Sequence, residues 1–167
     1  MQYSQKPADQ APTKSPTGIA GFDETTGGGL PSGRTTLLLG GPGSGKTIFA
    51  LQFLVNGAIA YAEPGIFVAF EESPERLVKN FASFGLDLVA LQPKSLFLLD
   101  AQPSPDLIQD GTFDLSGMLA ALGAKAVAMG ARRIVFDALD ILSPCCPTRH
   151  RSGARSTGCM RGCCRMA

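Results

Sequence analysis

An α/β fold, a mainly parallel sheet with helices on both faces, is predicted by three features of the chain. Short apolar runs recur at 35–39, 66–70, 96–99 and 134–136. Longer segments with apolar residues at helical spacing lie between them, the alternation expected of parallel strands joined by crossover helices. Three of the runs give way at once to a carboxylate, Glu71, Asp100 or Asp137, at the strand end where open parallel sheets place their ligands.

Each element has its own local signal. Residues 1–16 are polar, with two lysines and three prolines, and read as a flexible lead-in without the apolar stretch of a secretory signal. The cluster Gly27-Gly28-Gly29-Leu30-Pro31-Ser32-Gly33 turns the chain into a first strand at 34–39. From Lys46 to about Tyr61, Ile48, Phe49, Phe53, Leu54 and Ile59 recur at near-helical spacing. Pro64-Gly65 marks a turn, and the continuous run 66–70 suits a strand buried on both faces. Ser73-Pro74-Glu75 is a helix start, with a capping hydroxyl, a proline for the first turn and an acid for the dipole. That helix carries Leu77, Val78, Phe81 and Phe84 and stops at Gly85. After the third strand at 96–99, Asp114 is a cap for a helix over 115–129 with a buried stripe of Met118, Leu119, Leu122 and Val127. Gly130 closes it, and the fourth run ends at Asp137.

Composition sets bounds on function. With 167 residues, 44% hydrophobic and 17% charged, the chain suits one globular domain. No stretch reaches the roughly 20 apolar residues of a membrane span, so a cytoplasmic protein without a membrane partner is expected. The net charge of +1 is unevenly spread: every acidic residue lies at or before Asp140, and Arg149, Arg151, Arg155, Arg161 and Arg165 follow unbalanced. Residues 1–142 are therefore net acidic, which argues against nucleic acid as a partner. All five cysteines, 145, 146, 159, 163 and 164, share the last stretch with the single histidine, His150. An odd count opposes a disulfide framework, and a zinc site from Cys145, His150, Cys159 and Cys163 lacks a standard spacing.

The chemistry concentrates in one loop. Gly40-Gly41-Pro42-Gly43-Ser44-Gly45-Lys46-Thr47 follows a strand signal and opens a helix, so its N–H groups and the helix dipole can cradle phosphates. In this reading Gly41, Pro42, Gly43, Ser44, Gly45, Lys46 and Thr47 bind the nucleotide, Lys46 neutralises its β- and γ-phosphates, and the Thr47 hydroxyl ligates Mg²⁺. Asp137, after Arg133-Ile134-Val135-Phe136, matches a carboxylate that holds Mg²⁺ through its water shell, or is an ordinary strand-ending acid. Of Glu71 and Glu72, one orients or deprotonates an attacking water, or else one caps the next helix while the other faces solvent.

Several motifs in order carry a family resemblance. Thr17-Gly18-Ile19-Ala20-Gly21-Phe22-Asp23, Gly28-Gly29-Leu30-Pro31-Ser32-Gly33, the phosphate loop, and Gly65 through Phe70 with Glu71-Glu72-Ser73-Pro74 together resemble the start of a KaiC domain, the circadian-clock ATPase branch of the RecA-like superfamily. The resemblance covers residues 17–142. It implies a RecA-like fold, ATP as ligand, self-association into a ring with ATP between subunits, and paired glutamates, here Glu71 and Glu72, acting on the attacking nucleophile. Some members phosphorylate their own Ser and Thr residues in a segment beyond this chain, so that activity is not carried over.

The pattern breaks at the C-terminus. RecA-like domains continue with further strands, whereas residues 143–167 mix Cys, Arg, Gly and Ser without helical or strand period. The expectation is a domain incomplete at its C-terminus followed by an out-of-frame tail. With GC-rich codon choices, starting each codon at the third base of the present one turns residues 143–167 into a string that resembles an amphipathic helix. The functional expectation is ATP binding with weak or absent hydrolysis, because a neighbour's charge ordinarily assists phosphoryl transfer. The alternatives are a RecA- or RadA-like DNA-dependent ATPase, and a non-hydrolysing interaction module or non-functional fragment.

Overall fold

A computed structural model describes residues 12–92, 94–102 and 115–137. The tail at 143–167, with its candidate zinc ligands, and the cap Asp114 lie outside the described residues. In chain order the elements are β1 (Lys14–Ser15), α1 (Phe22–Thr26), β2 (Leu30–Pro31), α2 (Lys46–Ala60), β3 (Gly65–Ala69), α3 (Pro74–Ala82), α4 (Leu88–Leu91), β4 (Leu96–Asp100), α5 (Leu115–Met129) and β5 (Arg133–Asp137).

The main sheet is parallel throughout, in the order β4-β3-β5. Gly65 pairs with both Leu96 and Arg133, and Ala69 with both Asp100 and Asp137. The three carboxyl ends are thus level, and they lift Glu71 and Asp137 to the same edge. All five residues of β3 are buried, as its uninterrupted apolar run predicts.

Alternation along β3 divides two cores. Phe67 and Ala69 face Leu51, Leu54, Leu77, Phe81 and Leu88 from α2, α3 and α4. Ile66, Val68 and Phe70 face the other way, with Leu122 of α5 and Ala101. Helices therefore cover both faces of the α/β sheet, as the sequence predicts. Leu51 and Leu54 are fully buried, each worth about 1.5–3 kcal/mol of apolar transfer.

The first strand expected at 34–39 is not formed. Thr35 to Gly40 joins no ladder, and Leu37, Leu38 and Leu39 are 53%, 44% and 72% exposed. A strand requires a neighbour's amides and carbonyls about 4.8 Å away, and none of the described strands pairs with this segment. Helix α5 holds the expected span, but of its predicted stripe only Leu122 is buried. Val127 is 84% exposed and Leu119 41%, whereas Met118 packs beside Leu122 against Ile66 and Val68 of β3 and Phe97 and Leu99 of β4.

The end of the segment read as a flexible lead-in is paired. Lys14 and Ser15 lie antiparallel to Pro31 and Leu30, and the chain between them is pinned to α2. Asp23 accepts from the Thr17 hydroxyl at 2.7 Å, the Thr17 N–H at 2.9 Å and the Gly18 N–H at 2.8 Å. Asn56 Nδ2 of α2 donates to the carbonyls of Thr17 and Gly18, both at 3.0 Å. Gly18 has φ +66°, and a Cβ there would stand 2.9 Å from that of Asn56, so only glycine lets the turn approach the helix this closely. Burial pushes the Asp23 carboxyl up, but the Thr17 and Gly18 hydrogen bonds, aided by the Arg133 charge, outweigh it and hold the group below its usual range.

Candidate functional site

Helix α2 begins without a side-chain cap. Gly45 occupies the N-cap position at φ 84°, no side chain bonds the first turn, and no acid lies within it. The opening N–H groups and the positive end of a 15-residue helix are thereby left to face whatever enters the loop. Gly43 at φ 72° and Gly45 give the loop its left-handed turns. A Cβ on Gly40 would collide with the Ser44 hydroxyl.

Lys46 curls back over the loop that precedes it. Its Nζ donates to the carbonyls of Gly40 at 2.8 Å and Gly41 at 3.0 Å. The loop is closed further by Ser44 N–H donating to Gly41 O at 3.3 Å. A phosphate oxygen entering the loop is a stronger acceptor for an ammonium group than either neutral carbonyl.

The predicted site residues meet around two adjoining cavities. One of about 450 Å³ is lined by Gly40, Pro42, Gly43, Ser44, Gly45, Lys46, Thr47 and Ile48, with Glu71 and Asp137 opposite. That volume lies within the range of small-ligand sites, about 300–1,000 Å³. A smaller one of about 50 Å³ adds Glu72, Phe67, Ala69 and Leu77 to Thr47, Glu71 and Asp137. Gly41, expected among the binding residues, lines neither cavity and contributes its carbonyl to Lys46 instead.

The donor set between the cavities suits magnesium. A hydroxyl from Thr47 and carboxylates from Asp137 and Glu71 share one small space. Hard oxygen donors, one or two from protein and the rest from phosphate and water, are what Mg²⁺ takes. Among the described residues no group of three His, Cys, Asp or Glu forms a closed metal cage.

The two glutamates are held differently. Glu72 accepts from Asn80 Nδ2 at 2.7 Å and lies 3.5 Å from Arg76 Nε, both on α3. Ser73 caps that helix through Arg76 N–H at 3.5 Å, with Pro74 in its first turn. Neither glutamate is the cap. Glu71 forms no side-chain bond among the described residues and is exposed toward the cavity. Asn80 and Gln102, which contacts the Glu71 main chain, carry no motif in the sequence. The strand-end rule that selected Asp100 points two residues on to Gln102.

At the other end of β5, Arg133 is buried beneath α2. Its Nε donates to Glu63 at 2.7 Å, Nη1 donates to the Phe53 carbonyl at 2.7 Å, and the guanidinium lies 4.4 Å from the Phe53 ring centroid. Nη2 is 2.6 Å from the same Glu63 oxygen, a charge contact without hydrogen-bond alignment.

Comparison with known proteins agrees with this geometry. A family model described as "ATPase: KaiC" matches residues 15–153, which begins with the paired hairpin and runs past residue 142. The chain is 50% identical over 129 residues to a circadian clock oscillator protein KaiC of Prochlorococcus marinus strain MIT 9313, covering 75% of this chain and 26% of the relative. It is 45% identical over 143 residues to the KaiC of Thermostichus vulcanus, covering 83% and 28%. With the circadian clock protein KaiC2 of Synechocystis it shares 44% over 131 residues, covering 77% and 23%. The chain thus spans about a quarter of the length of the relatives it matches. By the extent of that match, and by a phosphate loop and strand-end carboxylates converging on one cavity, the chain belongs to the KaiC family of RecA-like ATPases.

Proposed function

We propose that this chain binds ATP with Mg²⁺ in the cavity between the phosphate loop and the ends of β3 and β5, and that binding exceeds turnover. The observation that carries this reading is the convergence of an uncapped α2 N-terminus, Lys46 and Thr47 with Glu71 and Asp137 around one cavity. The loop amides from Gly43 to Thr47 and the Lys46 ammonium hold the phosphates. Thr47 and Asp137 hold the metal, which when bound neutralises charge developing on the phosphate oxygens. Glu71 orients the attacking water.

Assembly into a ring, implied by the family resemblance, belongs to the same proposal. Among the described residues the cavity has one wall of loop and one of strand ends, and in a ring a neighbouring subunit would supply further charge stabilisation.

Parallel measurement of nucleotide binding and phosphate release tests the reading. Lys46→Ala removes an ammonium contact to phosphate worth about 2–3 kcal/mol, so ATP affinity falls by roughly 30- to 150-fold. The melting temperature stays the same, since Lys46 contacts only its own loop. A folded wild-type chain without affinity for ATP or ADP in the presence of Mg²⁺ overturns the proposal. Salt-sensitive binding of single-stranded DNA would turn it toward a DNA-dependent ATPase.

A further inference from the structure

The ladder between β3 and β4 runs one step beyond the strands, with Ala101 N–H donating to Ala69 O at 2.9 Å. The next carbonyl on the β3 side that reaches across, that of Glu71, has left the sheet. It is met by a side chain: Gln102 Nε2 donates to Glu71 O at 2.8 Å. The Gln102 backbone is itself fixed, because its N–H donates to Asp100 Oδ1 at 3.0 Å. An aspartate bonding the backbone two residues on closes a turn of defined shape. That turn carries the Gln102 amide from the end of β4 to the exit of β3.

We propose that Gln102 is a positioning residue for Glu71, holding its main chain so that its carboxylate stands opposite the phosphate loop. The inference rests on the reading of Glu71 as the group that orients the attacking water. Glu72 is fixed through its carboxylate by Asn80 and Arg76. Glu71 is fixed through its backbone, which leaves both carboxylate oxygens available to the cavity. The division is chemical: both contacts to Glu72 fall on Oε1 and fix the orientation of its carboxylate, whereas the Glu71 carboxylate, held from behind, can turn to water. The strand β4, which lends no residue to the cavity lining, would thus govern it through a single side-chain amide.

Gln102→Met keeps the length of the side chain and removes its N–H donor, and it tests the inference in the full chain with two readouts. In carbon-13 NMR of the side-chain carboxyls, the Glu71 signal shifts in the variant while that of Glu72 does not. An unmoved Glu71 signal, or equal movement of both, overturns the inference. In equilibrium binding, affinity for ADP with aluminium fluoride and Mg²⁺, a mimic of phosphoryl transfer, falls about tenfold, as misplacement of a reacting group predicts. Affinity for ADP alone stays within twofold of wild type. Equal loss for both ligands, or loss for neither, also overturns it. A wild-type chain that binds neither ligand refutes the nucleotide reading, while the NMR readout still decides the placement of Glu71.

Discussion

The carboxylate wall of the cavity stands on strands paired along their length, whereas the phosphate-loop wall is reached through a segment, Thr35 to Leu39, that pairs with no described strand. The two regions show that a site can be held from different ends. Asp137 is placed by the register of β5 on β3, at the level of Ala69. Lys46 and Thr47 are placed by α2, whose Leu51, Leu54 and Val55 are buried against the sheet. The loop is therefore anchored by the helix that leaves it, not by the residues that enter it.

The sharpest way to break this contrast is at the sheet wall. Arg133→Met strips the Glu63 carboxylate and the Phe53 carbonyl of their partner, and breaking a buried ion pair costs about 3–5 kcal/mol. Denaturant unfolding should report that loss, and with it weakened nucleotide binding as α2 loosens from β5. A loss under about 1 kcal/mol would mean that α2 is secured elsewhere.

A middle-sized effect is expected at the N-terminal brace. Asp23→Asn trades a carboxylate accepting from three N–H and O–H groups for a weaker acceptor, at a cost of about 1–2 kcal/mol. The pH dependence has a definite sign. Because the folded-state pKa lies below the unfolded value, this stabilisation is fully present above about pH 4 and is lost as pH falls through the folded pKa. Acid titration of stability should show a steeper fall in wild type than in Asp23→Asn.

The smallest effect is predicted on the entering segment. Leu39→Thr, at a residue 72% exposed, should change stability by no more than about 0.5 kcal/mol. It should also reduce self-association driven by the exposed leucines. A large loss would show that this run is a paired strand in solution, and the contrast between the walls would fail.

What the sequence made legible follows from how local each signal is. Periodicity located α2, α3 and α5, the last at 115–129 as expected, and Ser73-Pro74 marked the start of α3. The strand-end rule brought Glu71 and Asp137 to the cavity, with Asp100 bonding Gln102 just outside it. Pairing is not local. Thr35 to Leu39 has the composition of a strand, but composition cannot supply a neighbour. The stripe on α5 held in part: Leu122 and Met118 pack on the core, whereas Leu119 and Val127 have the right spacing and stay exposed among the described residues. Hairpin β1–β2 was missed because two-residue strands carry no period, and the Gln102–Glu71 contact because its partners are 31 residues apart.

Gly57 shows what one small residue permits. A Cβ at this position would lie 2.6 Å from Arg133 Nε, so the missing side chain is the opening through which β5 docks its first residue on the far end of α2. That helix starts at Lys46, beside the last residue of the same strand. Helix and strand are thus riveted at the end remote from chemistry, and the separation of Thr47 from Asp137 is gauged by a fastening several residues away. Any bulk introduced at Gly57 would slide one element along the other and put the two proposed magnesium donors out of alignment without touching either.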